Sequence, residues 1–125
     1  MIDRRSFRRG DILLASMPLI TNPREQKIRP VVIIQNDVGN RFSANLIVAL
    51  ITSRLPRRKY PTNVILQRSS GETDGTGLDR DSAIQAEVVS TIPKSAVRQR
   101  LGRLSETAME ALDACLRISL SLPCD

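Results

Sequence analysis

Histidine is absent from this chain. No imidazole acid–base pair is possible, and zinc sites with imidazole ligands are excluded. Catalysis at neutral pH would have to rest on carboxylates, arginine, lysine, hydroxyls or a metal held by oxygen. Aromatics are almost missing too, with two phenylalanines and one tyrosine. Phe42 could stack on a base, but with so few aromatics it is expected in the core. Two cysteines, Cys115 and Cys124, are too few and too late to form a disulfide framework, and Cys115 reads as a small core residue. No window approaches the roughly 18 apolar residues of a membrane span. The charged start, MIDRRSFRRGD, has no apolar stretch of signal-peptide length behind it, so secretion is not expected and the cytoplasm is. There is no internal repeat and no sign of a second domain, so residues 1–125 are read as one domain.

What is present is an ordinary globular composition with a strong bias of charge. Hydrophobic residues make up 41% of the 125 and charged ones 26%, enough for a real core. The formal charge is +6, which favours anionic partners. The basic residues cluster at Arg4, Arg5, Arg8 and Arg9, at Arg54, Arg57, Arg58 and Lys59, and at Arg98, Arg100 and Arg103. The first cluster reads as a solvated lead-in.

Short strand-like runs dominate. Asp11–Met17, Pro30–Gln35, Asn45–Ile51, Thr62–Gln67 and Asp81–Val89 have strand composition, and Val97–Leu104 is a basic strand or an irregular piece. Pro18–Ile28 reads as a loop, Asn36–Asn40 as a polar turn, and Thr91–Lys94 as a turn. Arg68–Gly77, with three glycines and no apolar residue, reads as an exposed, mobile loop. Asp79-Arg80-Asp81 lacks a third carboxylate at fixed spacing and reads as a structural turn. Ser105 is an N-cap candidate for a terminal helix whose Ala108, Met109, Leu112, Leu116 and Leu120 share one face, expected to pack on the sheet. The fold class is mainly β with a C-terminal helix, a small, strongly bent sheet or partly open barrel.

One juxtaposition carries chemistry. If the runs around Val31–Ile34 and Leu46–Ile51 pair as antiparallel neighbours, Arg29 at the start of one meets Thr52 at the end of the next. A planar guanidinium beside a hydroxyl is suited to gripping a phosphate.

The order of motifs resembles the MazF/PemK toxins of bacterial toxin–antitoxin pairs. The resemblance rests on Arg9-Gly10-Asp11, Glu25-Gln26, Arg29-Pro30-Val31-Val32, Gln35-Asn36-Asp37 with Asn40-Arg41-Phe42-Ser43, Ile51-Thr52-Ser53, Tyr60-Pro61-Thr62, Leu78-Asp79-Arg80-Asp81-Ser82, Thr91-Ile92-Pro93-Lys94 and the terminal helix. It implies an SH3-like small barrel, a homodimer with single-stranded RNA in its groove, and sequence-specific, metal-independent cleavage of mRNA with no cofactor. Arg29 and Thr52 fall on the active-site positions, and the segment with Glu25 and Gln26 would lie beside the substrate. RNA contacts are expected from Gln26, Ser53, Arg54 and Glu87, and the cognate partner from an acidic antitoxin protein. There are departures as well: Val88 stands where a glutamine is common, Arg24 where a glycine, histidine or serine is common, the spacer from Gln26 to Arg29 is one residue short, and the Arg68–Gly77 loop is longer.

The chemistry open to such residues is attack of the 2′-OH on the adjacent phosphorus, leaving a 2′,3′-cyclic phosphate and a 5′-OH. Arg29 would hold non-bridging oxygens and Thr52 would add a hydrogen bond. Thr52 is a poor base, so Glu25 is the first candidate to take the 2′ proton and Glu87 the second. Two other functions fit the same fold: a non-catalytic, CcdB-like gyrase poison, and a barrel that binds nucleic acid without cutting it.

Overall fold

The structure is a computed structural model that describes residues 6–19 and 21–123. Its elements are β1 (Asp11–Pro18), β2 (Gln26–Ile33), α1 (Asp37–Phe42), β3 (Asn45–Thr52), β4 (Asn63–Leu66), β5 (Ser82–Pro93), β6 (Val97–Arg103) and α2 (Glu106–Leu120). The six strands form one antiparallel sheet in the order β4-β5-β3-β2-β1-β6. The sheet is strongly bent but not closed, because β4 and β6 do not pair.

Alternation along the strands feeds two cores. Ile12 of β1 and Val32 of β2 face α2 and pack with Leu112, Cys115 and Leu116. Leu13, Val31 and Ile33 point the other way and pack with Phe7, Leu46, Val48 and Ile92. A strand buried on both faces has no polar alternation, which is why the run after Pro30 is so uniformly β-branched. Leu112 is fully buried. Ser105 caps α2 by accepting the Ala108 N–H at 3.1 Å. Burial pushes the Cys115 thiol pKa up, with the nearby Glu87 charge adding to the effect.

Bends are built in at register shifts. Along β3, Ala49 pairs with Val89 but Leu50 pairs with Gln85. The intervening residues of β5, Ala86–Val88, bulge out, and the strand turns there to meet β4.

Several local expectations are corrected. β2 begins at Gln26, so Gln26–Ile28 is strand rather than loop. Residues 36–40 are not an open turn: Asn36 caps α1 by accepting the Gly39 N–H at 2.8 Å. Thr91–Pro93 still belongs to β5, and the chain turns at Lys94–Ala96. Phe42 is 76% exposed, and the aromatic in the core is Phe7. Leu120 is also exposed, unlike Leu112 and Leu116. Arg9 is not simply solvated: its Nη2 meets Asp113 Oδ1 of α2 at 2.7 Å and its Nε donates to the Ile34 carbonyl at 2.8 Å. Arg4 and Arg5 lie outside the described residues. The glycine-rich segment after β4 is packed, with Thr73 and Thr76 buried.

Candidate active site

The register of β2 on β3 positions the central pair. Val31 faces Leu50 in the last pair of the β2–β3 ladder, and Arg29 and Thr52 lie two residues beyond it on the two strands. Both are half-buried and both line one open cleft of about 860 Å³. Ser53 and Arg54 line it too, as do Lys27 and Pro30. Its far wall is formed by Gly77, Leu78, Asp79, Arg80 and Ser82. Among the described residues, four cationic side chains thus share the lining with a single carboxylate, that of Asp79, and the cleft favours a polyanion.

The local chemistry of the two central residues differs. Among the described residues the Arg29 side chain makes no hydrogen bond or ion pair, which leaves its guanidinium fork open. Thr52 Oγ1 accepts the Arg54 N–H at 3.1 Å. That bond occupies a lone pair and leaves the hydroxyl proton free to donate. An open guanidinium and an available hydroxyl donor therefore flank the same space.

Arg29 also borders a second cleft, of about 410 Å³, with Thr21, Leu50, Glu87 and Val88. Glu87 rides on the β5 bulge, and its Oε1 accepts from Asn63 Nδ2 at 2.8 Å. Arg29 therefore stands on a ridge, with Thr52 on one side and a carboxylate on the other. Gln26 lies outside both clefts, its Oε1 accepting from Ser16 Oγ at 2.6 Å. Glu25 also lines neither cleft. Its backbone carbonyl accepts the Leu19 N–H at 2.9 Å, and Leu19 and Thr21 of that segment border both clefts. Thus Arg29, Thr52, Ser53 and Arg54 come together, Glu87 adjoins them, and Glu25 and Gln26 sit on the neighbouring segment.

Sequence reasoning missed Lys27 and the far wall. Lys27 was hidden by reading the start of β2 as loop. Asp79 and Arg80 were read as a structural turn; a basic residue directly after the glycine-rich segment was the available signal. Among the described residues no group of three or more His, Cys, Asp or Glu is placed to hold a metal ion, and no helix is long and apolar enough to cross a membrane.

The structure thus combines a bent antiparallel sheet with an unpaired arginine side chain and an available hydroxyl in a cationic cleft. A family model of PemK-like, MazF-like toxins of type II toxin–antitoxin systems matches residues 8–120. The chain belongs to that family. Solved structures agree on the architecture. An endoribonuclease in complex with its cognate antitoxin, from a mycobacterial species, superposes with a TM-score of 0.74 at 23% identity, covering 96% of this chain and 100% of the other. The Mycobacterium tuberculosis toxin MazF-mt6 gives 0.71 at 24% identity, with 91% and 99% covered. A MazE–MazF structure from Deinococcus radiodurans gives 0.70 at 14% identity, with 94% and 98% covered. At such identities the likeness is one of fold.

Proposed function

We propose that this toxin is an endoribonuclease that cuts single-stranded mRNA at a short sequence, without a metal or other cofactor. The observation that carries the reading is that the unpaired Arg29 side chain and the Thr52 hydroxyl group belong to residues lining one cationic cleft. The structures of similar fold that are described as endoribonucleases support it.

In the reaction a carboxylate removes the proton from the 2′-OH, and the oxygen attacks phosphorus. Charge builds on the non-bridging oxygens, where Arg29 supplies two parallel N–H donors and Thr52 one O–H donor. The bond to the 5′-oxygen breaks as Arg29 passes it a proton, leaving a 2′,3′-cyclic phosphate and a 5′-OH. Glu25 is the first candidate for the base; its side chain lines neither cleft, but Leu19, whose N–H its carbonyl accepts, borders both. Glu87, across the Arg29 ridge, is the second candidate. Full activity in Glu25→Gln with loss in Glu87→Gln would move the assignment to Glu87. Gln26, Ser53, Arg54 and Glu87 are the candidate RNA contacts: Ser53 and Arg54 line the cleft of Arg29 and Thr52, Glu87 the adjoining one, and Gln26 lies on the neighbouring segment. Unpaired RNA fits because its bases are free to splay and be read at their edges.

The protein works in the cytoplasm as a homodimer. An acidic, partly disordered antitoxin silences it by laying carboxylates against the basic cleft. The decisive test is incubation with a long single-stranded RNA in EDTA, with the ends mapped by primer extension. Site-specific cuts with 5′-OH ends, abolished by Arg29→Ala, are expected. Intact RNA under conditions where the folded protein binds it would refute the nuclease.

A further inference from the structure

β2 brings two cations to the cleft. Lys27 and Arg29 are two residues apart, roughly 7 Å along an antiparallel strand, and both line the cleft that holds Thr52. The β1–β2 ladder sets Lys27 opposite Met17 and Arg29 opposite Ala15 without a register shift. Directly opposed residues share a face of the sheet, and Ala15 and Met17 belong to the same core cluster. The two cations therefore stand side by side on one face of β2, on a backbone held by a continuous ladder.

The other charges of the lining are placed differently. Arg80 Nε meets Asp79 Oδ1 at 3.4 Å, so its charge is partly matched. Arg54 follows Thr52 where β3 has ended. Lys27 is exposed, and among the described residues its ammonium makes no hydrogen bond or ion pair. The far wall is fixed and does not swing across to compensate. Its segment leaves the edge strand β4 and bridges to the opposite edge strand, β6, where the Gly75 carbonyl accepts the Arg103 N–H at 2.9 Å. A Cβ on Gly77, at φ +78°, would lie 2.7 Å from the Leu101 carbonyl carbon, so the two backbones touch there. Arg68 clamps the rest, its N–H donating to Asp81 Oδ1 at 2.8 Å and its Nη1 to the Asp79 carbonyl at 3.1 Å. An anionic strand lying along β2 thus meets two unmatched cations in succession.

At the scissile phosphate the Arg29 fork spans the non-bridging oxygens and Thr52 adds a donor, which makes a second cation there redundant. A lysine ammonium is a point charge on a flexible stem, suited to a diester that needs holding but no transition-state geometry. An RNA strand offers such a charge at every nucleotide. We infer that Lys27 binds the phosphodiester one nucleotide away from the scissile one and so sets the register of the RNA on Arg29. The inference rests on the nuclease reading and adds to it a second phosphate subsite.

The test uses the full chain and a short single-stranded RNA containing the mapped cut. In a series of copies, one flanking phosphodiester at a time is replaced by an uncharged methylphosphonate. Wild-type protein is expected to lose about fivefold in kcat/KM at one adjacent linkage. Lys27→Gln should raise KM about fivefold on the unmodified RNA, with kcat changed less than twofold. It should suffer no further loss from that one methylphosphonate, while the other linkages act on it as on the wild type. Its slope of log KM against log salt should be shallower by about 0.7, the value of one phosphate contact on a single strand. Lys27→Arg should restore both the slope and the sensitivity to the neutral linkage. The side chain is exposed, so the thermal melts should coincide. A Lys27→Gln protein with the wild-type salt slope, or one as sensitive as the wild type to every neutral linkage, overturns the inference and leaves the nuclease standing. A folded wild type that cuts no RNA overturns the nuclease reading and the inference with it.

Discussion

Replacing Arg29 by lysine separates charge from geometry at the proposed phosphate grip. Arg29 has no protein partner among the described residues, so the substitution breaks no internal ion pair and should shift stability by no more than about 0.5 kcal/mol. Lysine keeps the positive charge but loses the planar fork that meets two oxygens at once. Loss of one preorganised donor typically costs about 10²–10³ in rate, so Arg29→Lys should lower kcat by about 10²-fold, equivalent to about 2.7 kcal/mol. Alanine removes both donors and the charge, and the loss should reach about 10⁴-fold, with the Thr52 contribution no longer additive. KM should move little in the lysine variant, because the cleft keeps Lys27, Arg54 and Arg80 on its walls. Single-turnover cleavage of a labelled oligoribonucleotide in EDTA, beside a thermal melt of each variant, measures both quantities. A lysine variant with near wild-type kcat would show that Arg29 acts only as diffuse charge and would end the fork model.

Thr52→Val keeps the shape of the side chain and removes its O–H donor; kcat should fall by about 10²-fold with a small change in melting temperature, since the Arg54 N–H it leaves unpaired is at the surface. Leu112→Ala empties a fully buried site between α2 and the sheet and should cost about 2–5 kcal/mol of unfolding free energy in urea titrations. Asp37 is held below its ordinary value of 3.8, chiefly by the Arg9 backbone N–H and then by the Asn40 side chain. A carboxyl depressed in the folded state lends stability at pH above its unfolded value, and this is lost as pH falls through the folded one. Acid titration of the melting temperature should therefore decline below about pH 4, and more shallowly in Asp37→Asn. An identical acid limb in the two proteins would remove Asp37 from that account.

The sheet and the central pair were legible because both follow from periodicity and register. Two apolar runs joined by a short polar connection pair as antiparallel neighbours, and the pairing brings Arg29 and Thr52 to the same end of the two strands. Ser105 and the apolar stripe of α2 were equally plain. Other features depended on three-dimensional context. Phe42 looks like a core residue by composition, but α1 turns it outward and Phe7 fills the second core instead. The Arg68–Gly77 segment looks mobile because glycine is read as freedom, whereas Gly77 here permits a close backbone approach across the sheet opening. Arg9 reads as solvated because its partner, Asp113, is 104 residues away in sequence. The position of Glu87 came from a bulge that shifts register by several residues at once, which no period-two pattern encodes.

The bridge from β4 to β6 has a further consequence for assembly. An unprotected terminal strand is a template on which another polypeptide can build, and runaway stacking starts from such templates. Here the Arg103 amide is already taken by the Gly75 carbonyl of the same molecule, so a foreign strand would have to evict a seated loop before it could add there. At the Arg103 end of β6, addition of a further strand is thereby disfavoured.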